Sequence, residues 1–482
     1  LSLHDALPIF NISIPNAALP HMQGSLSMAN DEVGWVFTSY IAASVIVLPM
    51  TGWLVGRFGR KTVYLTAIAI FTGALILDTL ATTTLQFVAA RILQGLASAP
   101  LVPLSLAMLL EVTPSARQAR ITLAATVAVL LGICTGPGIG GWLSEFYGWH
   151  AIFYFSLPMV AFIFGVMWFA LAEKPRNRIP FDFFGLATIS LGMTGLQMML
   201  DRGERLEWFA APEIWAEALA SALGFYLFVV HILTGETLLR DRALLRDRNF
   251  ILSTIIYFAF GFVLLPTLAL TSPMLEELFG YPVDTTGFMT IPRGVTLVGG
   301  VIVGSFLAGR MDNRLMIAGG IALVVYANWQ MLGYSPGMDW QPVVFTGLMQ
   351  GAGLGILMPA LTKMAFSTLN PASRPMGNVV FNLSRLYGST IGIAVVQIFF
   401  FNNTQAMHMA LTSALTPMRA AAHGIGPTSL AMLAEINEAI TGQSAVIAII
   451  GQFKILMIAM LVVSPLVLFL RNTQKQNATP HR

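Results

Sequence analysis

"ITLAATVAVLLGICTGPGIGGWL", residues 121–143, decides how the chain is to be read. It carries no charge and is long enough to cross a membrane, which takes about 20 apolar residues. Ala124, Ala128, Gly132, Gly136 and Gly140 recur at every fourth position, so on a helix they line one face. Such a face lets a second helix approach closely, and Pro137 removes a rung of the backbone ladder and invites a bend. A lone pair of glycines at this spacing is ordinary helix packing. Here the stripe is longer and ends in G-x-x-x-G-P-x-x-G-G over 132–141, including Gly141.

The rest of the chain has the same character. Of 482 residues, 56% are hydrophobic and 10% charged, with a mean hydropathy of +0.74. Soluble domains carry about 25% charged residues, so an all-α polytopic membrane protein is expected. Apolar runs fall at 6–20 (curtailed), 35–55, 62–80, 84–109, 119–143, 150–172, 183–200, 214–234, 250–271, 286–309, 314–333, 341–362, 375–401 and 447–470, fourteen in all. "LSLHDALPI" at 1–9 reads as adapter sequence joined to a truncated gene, a non-native leader that leaves the first helix shortened.

The basic residues orient these runs. Arg57, Arg60 and Lys61 fall in the loop after the second run, and alternate loops from there, with the tail, hold 19 Lys and Arg against 3 (Arg202, Arg205, Arg419) in the opposite set. By the positive-inside rule the richer side is cytoplasmic, and both termini lie on it. The pI of 9.0 therefore reports topology, not nucleic-acid binding. The sole cysteine, Cys134, lies in an apolar run and forms no intrachain disulfide.

An internal repeat divides the chain. "WLVGRFGRK" (53–61) aligns with "FLAGRMDNR" (306–314), each after the second helix of its half if the pair 183–234 is an insert. The expected domains are a six-helix bundle at 10–175, an inserted helix pair and linker at 176–248, a second six-helix bundle at 249–470 and a tail at 471–482. Repeats of this kind are typical of secondary transporters. The polar segment 402–446, with a Gly-Pro break, reads as a long outer loop, either a solvated cover or a contact for a periplasmic partner.

The 132–141 pattern resembles the antiporter motif of major facilitator drug exporters, and the likeness extends over nearly the whole chain. "GWLVGRFGRK" (52–61) is similar to that family's G-x-L-x-D-R-x-G-R-K loop, matched at Gly52, Arg57, Gly59, Arg60 and Lys61. "RILQGLASA" (91–99) resembles its R-x-x-Q-G motif, with Arg91 and Gln94 in place. "NAALPHMQGSL" from Asn16, "FDFFG" (181–185) and "LDRGERLEWF" (200–209) resemble the fourteen-helix drug:proton antiporter branch (EmrB/QacA type). The resemblance implies two six-helix bundles with two inserted central helices, in a bacterial cytoplasmic (inner) membrane. It also implies exchange of hydrophobic or amphiphilic compounds for protons, with an adaptor and outer-membrane channel as possible partners, and no cofactor.

Two departures stand out. Asn11 occupies the helix-one position where the branch usually has an Asp, and Gly56 (with Gly309 in the repeat) replaces the loop Asp thought to latch the halves. Asn does not titrate, so residue 11 carries no proton as a carboxylate would. At 1.5 Å per residue Arg91 lies about 10 Å, and Asn11 about 13 Å, below the outer helix ends, so their depths match. Charges at such depth are functional by default, with a structural Arg bonded to carbonyls as the competing reading.

Other positions are weaker candidates. Asp78 falls near the outer end of the third run and reads as an interface residue; Arg293 falls in the outer third of its run. Arg385 with Asn382 reads equally as cavity-facing or as packing, Lys454 as a helix-start lysine able to snorkel, and Gly347, Gly351, Gly355 and Pro359 as a packing stripe. "GRKT" (59–62) is not a phosphate loop, and no HExxH occurs, which argues against ATP drive and an intramembrane protease. The readings that remain are an exporter of amphiphiles, an exporter or facilitator of one metabolite, and a non-transporting membrane sensor.

Overall fold

A lipid-embedded run has no water to satisfy its backbone, so it must close its own hydrogen bonds as a helix. The computed structural model describes residues 10–471, apart from 30–31, 112, 172–181, 204–205, 235–243, 245, 309, 371–372 and 415–429, and among the described residues there is no strand. The leader 1–9, Gly309, the charged stretches of the linker and the tail beyond Arg471 lie outside the described residues.

A short 3-10 turn, Ile14–Ala18, leads into α1 (Leu19–Leu26). The N-terminal bundle continues with α2 (Trp35–Val47), α3 (Thr51–Phe58), α4 (Arg60–Leu80), α5 (Thr84–Ser98), α6 (Leu101–Glu111), α7 (Ser115–Tyr147) and α8 (Ala151–Ala170). The inserted pair is α9 (Phe183–Arg202) and α10 (Pro212–Thr234). The C-terminal bundle holds α11 (Arg248–Pro273), α12 (Val283–Leu307), α13 (Asn313–Met331), α14 (Trp340–Ser367), α15 (Arg374–Ala414), α16 (Leu430–Val463) and the short α17 (Leu466–Phe469). Among the described residues 12 helices are long and apolar enough to cross a membrane, with α2–α3 and α5–α6 each counted as one span. The two further predicted runs are helical as well: 314–333 is α13, and the first is the turn with α1.

The halves meet where α7 packs on α12 and α2 on α15, while α9 of the inserted pair touches both α2 and α15. The pair is held together by small residues: a Cβ on Gly195 would lie 2.8 Å from the Glu217 carbonyl oxygen and the Ser221 nitrogen. Its ends are tied by Arg202–Glu217 (2.6 Å) and His231–Asp182 (2.7 Å). It docks on α2 through Thr38, whose hydroxyl donates to Asp201 Oδ2 at 3.1 Å.

Three expectations need correction. The loop at 52–61 is two helices meeting at one residue, Gly59, whose φ of 91° suits only glycine. Residues 402–414 and 430–446, read as an outer loop, extend α15 and α16. Their Ala, Leu and Met content favours helix strongly enough to outweigh the polar residues on which the loop reading relied. His408 Nε2 and Asn437 Oδ1, 3.2 Å apart, link the two extensions, and the Gly-Pro break lies outside the described residues. As a result Lys454 lies well inside α16 with its side chain exposed, not at a helix start.

Candidate functional site

The polar centre of the N-terminal bundle is built on α5. Thr83 caps that helix by accepting from the Gln86 N–H, and Arg91, Gln94 and Gly95 follow on its inner face, all buried. Gly95 is where α2 comes closest: a Cβ there would run into the Tyr40 carbonyl oxygen. Arg91 is 0% exposed, which is extreme for a cation. Its Nη1 donates to Gln94 Oε1 at 2.6 Å and to the main-chain oxygen of Asn11 at 3.1 Å. Its guanidinium carbon sits 5.4 Å from the ring centres of Phe87 and Phe153 and 5.8 Å from that of Tyr40. Those faces attract a cation through the ring quadrupole.

The depth match of Arg91 with residue 11 therefore corresponds to a contact, but one made by the carbonyl of Asn11, which any residue there would supply. Asp78 overturns its expected place as an interface residue. It is 0% exposed and close enough to Arg91 and Tyr40 to interact with both electrostatically. An acid inside an apolar run was the available signal; what covers the end of α4 is not written in α4.

The small-residue face of α7 packs on the first turn of the chain. Ser13 Oγ donates to the Gly132 carbonyl at 3.1 Å. A Cβ on Gly136 would strike Ser13, and one on Gly140 the Ile14 carbonyl. The opposite face meets the other half: a Cβ on Gly287 of α12 would lie 3.0 Å from the Pro137 oxygen and from Gly138 Cα. Gly141 is buried on the same helix. Asn16 lies on the Ile14–Ala18 turn, and its side chain is outside the described residues.

The C-terminal bundle has its own buried polar group. Arg293 Nη2 donates to the Leu264 carbonyl at 3.1 Å and shares a small recess at the junction of the halves with Pro137 and Thr290. Gln350 Nε2 lies 3.3 Å from Thr267 Oγ1 and 3.4 Å from Asn328 Oδ1. This cluster of neutral amides and hydroxyls was not singled out from sequence, because single Gln, Asn and Thr residues in apolar runs carry no pattern. Arg385 instead lies beside Tyr257, and Asn382 donates to Asn378 one turn back at 2.9 Å, so the structure brings neither to Arg91. Gly351 and Gly355 of the expected packing stripe abut the Arg293 and Leu297 carbonyls of α12.

At the Gly59 junction Gly56 is buried and Gly52 has open space around it. Arg57 is exposed, Arg60 reaches Glu111 at the end of α6 (2.5 Å), and Lys61 lies 5.9 Å from the Trp168 ring. An acid from α6 thus meets the loop bases that lack one at Gly56. Both partners are partly exposed, so Glu111→Ala is expected to cost no more than about 0.5 kcal/mol. Thermal unfolding in detergent checks this; a loss several times larger would assign the pair a structural role.

Two helical bundles joined by a glycine contact, with 12 helices among the described residues long and apolar enough to cross a membrane, define a polytopic helical membrane protein. Residues 6–393 match the family model of the Major Facilitator Superfamily, and the chain belongs to that superfamily. It is 28% identical over 468 residues to "Multidrug export protein EmrB" of Escherichia coli (strain K12), covering 93% of this chain and 90% of that one. It is 28% identical to "Fatty acid resistance protein FarB" of Neisseria gonorrhoeae, over 88% of this chain and 84% of that one. The fold is similar to a bacterial homolog of the human lysosomal transporter Spinster, with a TM-score of 0.64 at 14% identity, covering 100% of this chain and 97% of that one. It is also similar to the xylose transporter XylE from E. coli, with a TM-score of 0.61 at 10% identity, covering 98% and 97%.

Proposed function

We propose that the protein is a secondary active exporter of hydrophobic or amphiphilic compounds. It works by alternating access of its two bundles, with inward movement of protons as the driving reaction. The kinship with export and resistance proteins over about nine tenths of the chain carries this reading. The geometry supports it: α7 and α12, one from each half, approach backbone to backbone at Gly287 and Gly138, with the Ile291 side chain beside them. The charge pattern supports an orientation with both termini in the cytoplasm, and the bacterial relatives support a cytoplasmic (inner) membrane. The helical extensions of α15 and α16 lie on the opposite side in that orientation, where a periplasmic adaptor and outer-membrane channel would take over the substrate.

The test is transport by purified protein in proteoliposomes, with ethidium and oleate as probes, in the presence and absence of a pH gradient. Gradient-dependent movement of at least one of them is expected. Movement that ignores the gradient would sink proton antiport and leave facilitated export; movement of neither would remove the amphiphile reading.

A further inference from the structure

We infer that Asp78 is the carboxylate that takes up and releases the exchanged proton, and that Arg91 is the counter-charge that compensates the ionised carboxylate between uptakes. The inference rests on the antiport reading above and adds to it the proton site that Asn11 and Gly56 leave open. Asp78 lies on α4 with both carboxylate oxygens buried and without a hydrogen bond from any described group. On the facing helix, Arg91 Nε and Nη2 are buried and likewise without an acceptor. The two groups interact electrostatically without forming a hydrogen-bonded ion pair.

A buried carboxylate with no donors is expensive as an anion, and removing its counter-charge makes it more so. Two arrangements relieve that cost: ionised beside the guanidinium, or neutral with a proton bound. A site that merely held the fold together would be expected to close the hydrogen bonds, as Arg202 and Glu217 do at 2.6 Å. The open geometry leaves both arrangements available.

Among the described residues no other carboxylate acts on Arg91; His150, just before α8, is stacked on Trp149 with ring centres 3.6 Å apart. Tyr40 on α2 faces the pair, and its hydroxyl bonds Ser98. Packed on α4 from the other side, α8 contributes Phe153 to the Arg91 cage and carries no acid or base from Ala151 to Ala170. His21 on α1 is exposed. Arg60, Lys61 and Glu111 sit at the far end of α4, about 25 Å along the helix from Asp78.

The step balances as follows. With the bundle open to the outside, a water-borne proton forms an O–H bond on the Asp78 carboxylate and cancels its charge. After the halves rock, that bond breaks toward cytoplasmic water, and the carboxylate returns to the field of Arg91. One proton moves inward per cycle.

The experiment compares the wild type with Asp78→Asn and Asp78→Glu in proteoliposomes, with ethidium and oleate as probes. Three readouts are taken: gradient-driven efflux, gradient-free counterflow of labelled probe, and proton release on probe addition in detergent. Asp78→Asn is expected to lose gradient-driven efflux by at least about tenfold, lose proton release, and keep counterflow. Gradient-driven efflux retained in Asp78→Asn overturns the assignment. Should Asp78→Asn lose counterflow too, or fail to fold, Asp78→Glu decides. A displaced carboxylate is expected to shift the pH midpoint of efflux, and an unmoved midpoint overturns the inference. If the wild type ignores the gradient, antiport itself fails before any variant is compared, and the assignment fails with it.

Discussion

Replacing Arg91 by Met is expected to abolish transport and, at a pH high enough to keep Asp78 ionised, to destabilise the N-terminal bundle by about 3–5 kcal/mol, the cost of breaking a buried charge pair from one side. Met fills much of the volume between Phe87, Tyr40 and Phe153, so the loss reports charge more than packing. It leaves the buried Asp78 carboxylate with no cation, and leaves Gln94 and the Asn11 carbonyl without their donor. Adding Asp78→Leu to Arg91→Met removes the orphaned charge, and stability is expected to return to within about 1–2 kcal/mol of wild type while transport stays absent. Arg91→Lys keeps the charge but not the planar guanidinium that sits among the Phe87, Phe153 and Tyr40 rings, so partial activity is expected. Thermal unfolding in detergent and dye efflux check all three. A double variant as unstable as the single one would show that Asp78 and Arg91 do not share their charge.

The sequence led to Arg91 because a cation in an apolar run is costly and therefore rare. Matching depths along two helices also brought Asn11 to it. Rise per residue gives height but not azimuth, however, and it does not say whether side chain or carbonyl makes the contact. Asp78 was misjudged for a related reason. Its height on α4 puts it near water, but α4 packs against α5 and α8 and the residue is 0% exposed. Of these two neighbours α8 is far from α4 in sequence, so its packing is not written in the local pattern. The glycine stripe of α7 was fully legible as a close-packing face, because its period is a property of one helix. Its partners, the first turn on one side and α12 on the other, were not, because they come from the other elements. At 402–414 and 430–446 polarity suggests a loop, but Ala and Leu content decides for helix.

The two faces of α7 should respond differently to the same substitution. Gly140→Leu drives a side chain into the Ile14 carbonyl, a backbone group within the same half that has no rotamer to change. Overpacking typically costs about 1–3 kcal/mol, and an immovable obstacle puts this site at about 3 kcal/mol or more. Low yield and a depressed unfolding temperature are expected, with Gly136→Leu, against Ser13, following the same direction. Gly138→Leu meets Ile291 of the other half at 3.0 Å, and side-chain movement or a small separation of the bundles relieves it. That variant is expected to fold with near wild-type stability yet transport poorly, because it disfavours the arrangement in which α7 and α12 touch. Cross-linking of cysteines placed across the α7–α12 seam, compared with unfolding temperature, separates the two outcomes. Equal destabilisation by Gly138→Leu and Gly140→Leu would mean that the seam between the halves is as rigid as the packing within one, which alternating access does not allow.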